Sequence, residues 1–245
     1  MIHKSAIISS KAQIGENVTI GPFSIVHDNV DIGDNTIIGS YCEIGASTPL
    51  AASNNLKIGH SSIIRSHTTV YSGSTIKSHF HTGHYVCIRE NSSIGHHVQI
   101  GSRGDIQGDC IIGDFTKMHA DVHIGKLSKI GSFVWLFPEV LLTNDPTPPS
   151  EELKGVTIED FVVVAAKSLL MPGIKLEKDC VISAGSIVKD DVKSGMLVSG
   201  NPARPVCKAN ILRHHEHINI KAYPWRKRFS RGYSKEDVTQ WQNEE

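Results

Sequence analysis

The chain has 245 residues, and its 25 Lys and Arg balance 25 Asp and Glu, so no net field favours nucleic acid or an anionic membrane surface as a partner. The opening MIHKSAIISS lacks the apolar run of a secretory signal, and nothing later reaches the roughly 18 apolar residues of a membrane span, so a cytoplasmic protein is expected. Five cysteines without a CxxC pair argue against both a disulfide framework and a zinc ribbon.

Along the chain, an aliphatic residue recurs every six positions. The first run is Ile2, Ile8, Ile14, Ile20, Val26, Ile32, Ile38 and Ile44. The second starts at Ile58 and reaches Leu142, with Thr82 as its only polar member, and the third runs from Ile158 to Val188. Two insertions, at 45–57 and 143–157, separate the runs. Four residues after each aliphatic stands a small side chain, as at Ala6, Ala12, Ser24, Thr36, Cys42, Cys110 and Cys180. That slot explains three of the five cysteines as small buried hydrophobes.

A period of six is repeat architecture and excludes helix. It fits short strands joined by turns, each pointing one aliphatic inward, so that about 18 residues close one triangular coil and coils stack about 4.8 Å apart through parallel ladders. A parallel β-helix over 1–200 is therefore expected. The outward position just before the aliphatic is itself apolar at Ile7, Ile25, Val163, Val181, Leu169 and Ile187. Each pair lies one coil apart, and such stripes predict subunit contact. After Val192 the period stops. A basic segment follows from Arg204 to Lys227, with a helix expected over 206–220, and 201–245 is read as a helical cap and tail over the last coil.

These repeats resemble the hexapeptide-repeat acyltransferase family, whose fold is a left-handed parallel β-helix. Within it, Thr82 to Glu90 (TGHYVCIRE) and Thr143 to Pro149 (TNDPTPP) resemble segments of N-acetyltransferases that act on nucleotide-linked amino sugars. Gly200, Asn201, Pro202 and Ala203 resemble the segment by which that family turns out of the β-helix beside coenzyme A. The resemblance implies acetyl-CoA as acyl donor, a nucleoside-diphosphate amino sugar as acceptor and a homotrimer with its active site between subunits. It also implies catalytic roles for His84, Glu90, Asn144, Asp145 and His119, with Glu90 orienting His84. A coenzyme path is expected along Ala166, Ala184, Gly185, Gly200, Asn201 and Pro202, with Arg204 and Lys208 at the phosphates.

The residues leave other readings open. An O-acetyltransferase acting on a sugar or serine hydroxyl is the runner-up, a carbonic-anhydrase-like metal enzyme is disfavoured by histidine spacing, and a non-catalytic scaffold is a further alternative. No metal is expected, and His79, His84 and His119 are the least implausible ligands. His119 and His123 flank the sequence HADVHIG, but Ala120 stands two residues after Met118, where a general-base His is expected from the resemblance. Phe80 fills a small-residue slot two positions before Thr82, so this coil is expected to be strained and to aim His84 outward.

Overall fold

In a computed structural model the described residues are 1–223, 233, 235, 236, 238 and 239. The hexads become strands of mostly two residues that build a left-handed parallel β-helix with three faces. The first face has ten strands, from Ile7–Ile8 to Ile187–Val188, and the second has nine, from Gln13–Ile14 to Lys175–Leu176. The third has eleven, from Thr19–Ile20 to Ala203–Lys208. Corner 1 leads from the third face into the first, corner 2 from the first into the second, and corner 3 from the second into the third.

Each two-residue strand sends its second residue inward, and the inward aliphatics form one continuous buried column from Ile20 to Val198. Full burial of each stabilises the fold by about 1.5–3 kcal/mol. The small slot is buried too, at Ser24, Thr36, Cys42, Cys110 and Cys180. Burial pushes the Cys110 thiol up to about 11 and the Cys180 thiol up to about 12. Corners turn through residues in the left-handed region, such as Asn35 (φ 55), His79 (φ 60) and Phe133 (φ 57). Coils also approach closely at corner 1: a Cβ on Gly21 would stand 2.7 Å from the Gly39 carbonyl carbon, so only glycine fits.

Residues at the same corner position stack from coil to coil. Corner 3 carries His79, His97, Phe115, Phe133 and Phe161, with centroids 4.4 to 5.1 Å apart. Corner 1 carries Phe23, Tyr41, His67 and Tyr85 in the same manner. Such pairs add about 0.5–1.5 kcal/mol each beyond their burial.

Phe80 is fully buried and Thr82 is 4% exposed, so the oversized and the undersized residue both face the interior of the same coil. The Thr82 hydroxyl is satisfied by the Arg65 amide, 2.9 Å away.

Both insertions leave from corner 2. Asn91 holds the first by accepting from the Ala52 amide (2.8 Å) and donating to the Leu50 carbonyl (3.0 Å). The second closes on Asp145, which accepts from the Thr147 amide (3.2 Å), the Ser150 amide (3.0 Å) and the Ser150 hydroxyl (2.6 Å).

Two expectations for the end of the chain need correction. Residues 206–208 belong to a strand, not a helix, because Ala203–Lys208 turns back antiparallel on Met196–Gly200 and satisfies an edge that would otherwise stay open. A single 3₁₀ turn, Ala209–Ile211, follows, and residues 235, 236, 238 and 239 are helical. The basic run Trp225 to Arg228 lies outside the described residues. Val163 and Val181 are also not a bare stripe: Ala209, Tyr223, Phe137 and Leu197 cover them, leaving 3% and 2% exposed. Ile7, Ile25, Leu169 and Ile187 keep solvent contact on the first face.

Candidate active site

The candidate residues gather at two different corners. His84 is exposed at corner 1, where its Nδ1 meets the Ser66 hydroxyl at 2.7 Å and its amide donates to Ser102 Oγ at 3.1 Å. His119 occupies the same corner two coils later, its ring stacked on Phe137 at 4.8 Å. Glu90, Asn144 and Asp145 belong to corner 2. Glu90 is 1% exposed and is gripped by Arg89 through Nε (3.2 Å) and Nη2 (2.9 Å). It stands across the first face from His84, so it does not orient that ring. Asp145 is held below the usual carboxylate range by the Ser150 hydroxyl first, then by the Ser150 and Thr147 amides. His79 is at corner 3, so the three histidines weighed as metal ligands are not brought together.

Of the proposed coenzyme residues, Ala166, Ala184, Gly185, Gly200, Asn201 and Pro202 converge at corner 1 of the last coils, whereas Lys208 pairs with Met196 at the corner 3 end of the third face. Ala166 lies directly below Gly185, whose amide donates to its carbonyl at 2.9 Å, and Ala184 is exposed beside them. A Cβ on Gly185 would meet nothing within 4 Å, so this edge is open. Above it, the Gly200 amide donates to Ser186 Oγ at 3.2 Å, and Asn201 and Pro202 form the exposed reversal into the return strand. Arg204 is paired with Asp190 at 3.1 Å on the rim of a cavity of about 510 Å³ at the end of the β-helix. Lys208 is exposed at the end of that strand.

Between the two corners, the first face carries a pair that the sequence reading passed over. Asp105 and His123 are in register on adjacent coils, both pointing outward just before an inward isoleucine. His123 Nδ1 lies 2.9 Å from Asp105 Oδ2, and Gln107 Nε2 donates to the same oxygen at 2.7 Å. Burial raises the Asp105 carboxyl, but the bonds from His123 and Gln107 outweigh it, and the net displacement is downward. An ionised carboxylate only accepts, so the shared proton belongs to Nδ1 and Nε2 keeps its lone pair. The pair is reachable, with side chains 33% and 37% exposed.

The same outward column is polar in the middle and apolar above, where Leu141, Leu169 and Ile187 follow His123 in register. Two residues past His123, Gly125 sits under the root of the second insertion, since a Cβ there would come within 3.2 Å of Asn144 Cβ. The dyad therefore lies beside the TNDP loop and, from His123, about 14 Å along the axis from Ala184, three coils of about 4.8 Å away. The signal that could have found it is the spacing of eighteen between an outward Asp and an outward His.

Comparisons with known proteins bear on the repeat and the fold. The family model described as bacterial transferase hexapeptide (six repeats) matches residues 11–46. A 2,3,4,5-tetrahydropyridine-2,6-dicarboxylate N-acetyltransferase of Clostridium perfringens is 40% identical over 57 residues, 23% of either chain. Its Staphylococcus aureus counterpart is 36% identical over 63 residues, 26% of either chain. The chain thus spans about a quarter of the length of the curated relatives it matches. An Arabidopsis UDP-N-acetylglucosamine acyltransferase superposes with a TM-score of 0.63 at 18% identity, covering 100% of this chain and 88% of that one. A Bacteroides fragilis UDP-N-acetylglucosamine acyltransferase gives 0.51 at 21% identity, covering 100% and 91%. At such identities the likeness shows the fold alone.

Proposed function

We propose that this chain, a hexapeptide-repeat protein with a left-handed β-helix, is an acetyltransferase that moves the acetyl group of acetyl-CoA directly to an amine. The acceptor is an amino group on a nucleoside-diphosphate-linked amino sugar. The observation that carries the reading is the Asp105–His123 pair, standing out of the first face between the TNDP loop and the open small-residue edge.

In this reading the pantetheine arm follows Gly200, Ala184, Gly185 and Ala166, where the lack of side chains lets it run close to the backbone. Leu141 and Leu169 give it an apolar bed. The thioester then reaches His123. The amine nitrogen bonds to the thioester carbonyl carbon, the amine proton passes to His123 Nε2, and collapse breaks the C–S bond and releases the coenzyme thiolate, which His123 can reprotonate. Asp105 fixes the ring and stabilises its charged form. Asn144 and Asp145 face the sugar from corner 2. Arg204 and Lys208 meet the coenzyme phosphates, which requires Arg204 to exchange Asp190 for them. His84 and His119, both at corner 1, flank the coenzyme side of the site and do not act as its base. A homotrimer would complete the cleft, with the exposed aliphatics of the first face as contact.

A hydroxyl acceptor is the second reading, because the dyad supplies the stronger base that an alcohol needs. The test is a melt with and without coenzyme A, followed by assay of acetyl-CoA with a panel of nucleotide amino sugars and their hydroxyl analogues. A ligand at 100 times its dissociation constant stabilises by about 2.7 kcal/mol, so a clear upward shift in Tm is expected. No shift at millimolar coenzyme A overturns the proposal, and turnover of the hydroxyl analogues alone replaces it with the second reading.

A further inference from the structure

Between the return strand and Tyr223 the chain makes a small hairpin unrelated to the repeat. Arg213 and Lys221 form its closing bridge. The His214 amide donates to the Ile220 carbonyl at 2.9 Å, and the Ile220 amide to the His217 carbonyl at 2.8 Å. Residues 214–217 read HHEH, and their ligating atoms on His214, Glu216 and His217 all lie within 4.8 Å of one another. Among the described residues, no other group of three His, Cys, Asp or Glu side chains is so placed.

We infer that this hairpin is a divalent transition-metal site, in which His214, Glu216 and His217 hold one Zn²⁺-like ion and water completes the tetrahedron. Two imidazoles and a carboxylate, without thiolate, suit Zn²⁺, Co²⁺ or Ni²⁺ rather than the all-oxygen cations. Bonds of 2.0–2.1 Å put tetrahedral donors about 3.4 Å apart, so the three side chains must draw in by little more than an ångström. They are free to do so: His214 is half-buried and the other two are exposed, while the backbone is already tied by the hairpin. The rings of His214 and His217 stack 5.3 Å apart, on one side of the loop. The Glu216 amide reaches His214 Nδ1 at 3.3 Å, so that lone pair faces back over the loop, and this long bond is the one the ion displaces. His215 stands beside them, its ring stacked on His214 at 4.8 Å and its Nε2 3.5 Å from a Glu216 oxygen, but its ligating atoms are not among those that converge.

The site is remote from the Asp105–His123 pair and does not depend on the proposed activity. Its place in the fold gives it a structural consequence. The hairpin joins Ala209 to Tyr223, the residues that cover Val163 and Val181. An ion there fastens that covering segment.

The test is titration of the full chain, free of any purification tag, with Co²⁺ followed by visible absorption, and with Zn²⁺ against a chromophoric chelator. One ion per chain is expected, and Zn²⁺ should slow proteolytic cleavage between 212 and 222. His214→Ala and His217→Ala should each weaken binding at least tenfold, Glu216→Gln about tenfold, and His215→Ala, a neighbour rather than a ligand, by less than any of these, with unchanged circular dichroism throughout. Absence of a Co²⁺ band overturns the inference. So does a His214→Ala/His217→Ala double variant that keeps its ion, or a His215→Ala loss equal to that of His217→Ala.

Discussion

Replacing His123 by Asn removes the imidazole that Asp105 orients on the open face. The change should touch chemistry far more than stability. His123 is 37% exposed on its side chain and its partner Asp105 33%, so neither fills the core, and the lost hydrogen bond is worth about 0.5–1.5 kcal/mol. For a chain of this size that corresponds to about 2–5 °C in Tm. Loss of a general base should lower kcat by about 10²-fold or more, with the KM for acetyl-CoA within twofold because the open coenzyme edge at Ala184 lies three coils away. The assay is release of free coenzyme A thiol in the presence of an amino-sugar nucleotide, with His84→Ala as the comparison variant. His84 bonds Ser66 at corner 1, off the first face, so its loss should leave kcat within threefold. Full turnover in His123→Asn together with a collapse in His84→Ala would refute the assignment and return the base to corner 1. Asp105→Asn should lie between them. Because the folded Asp105 carboxyl is held low, its stabilising contribution is complete above the unfolded value near 4 and is lost as pH falls through the folded value. An acid-unfolding curve of Asp105→Asn should therefore differ from the parent above that point and converge with it below.

Ala184→Tyr should raise the KM for acetyl-CoA at least tenfold while leaving Tm unchanged, since the residue is exposed on the open edge; an unaltered KM would move the coenzyme path elsewhere. Phe80→Ala should cost about 3–5 kcal/mol in a urea melt, the range for a fully buried aromatic, because Thr82 beside it is too small to refill the space. A loss below about 1 kcal/mol would show that the space is refilled.

The coil, the inward column and the location of both insertions were legible because they depend on one local rule, an aliphatic every six residues. Sites were harder. Asp105 and His123 each look like ordinary outward polar residues, and only the register of adjacent coils makes them a pair. Glu90 and His84, close in sequence, are separated by a whole face. The misread helix at 206–220 and the misread stripe at Val163 and Val181 share a cause. The return strand pairs with Met196–Gly200 through tertiary hydrogen bonds that no local pattern announces, and its continuation then covers the two valines. Phe80 and Thr82 break the repeat in sequence, and both are nevertheless buried in the same coil.

Both long insertions emerge from the same corner, and the ladder is carried across each of them, with one bulge where Tyr71 pairs with Ala46 at the root of the first. Val30 still pairs with Leu56 and Ile32 with Ile58 across the first, and Lys129 pairs with Thr157 across the second. Lengthening a chain excursion at such a point adds only a slowly growing closure entropy, about 0.6 kcal/mol per doubling. The solenoid thus separates two evolutionary problems. Coils answer for persistence of the fold, while this one edge can be rewritten or lengthened with the frame indifferent to the outcome.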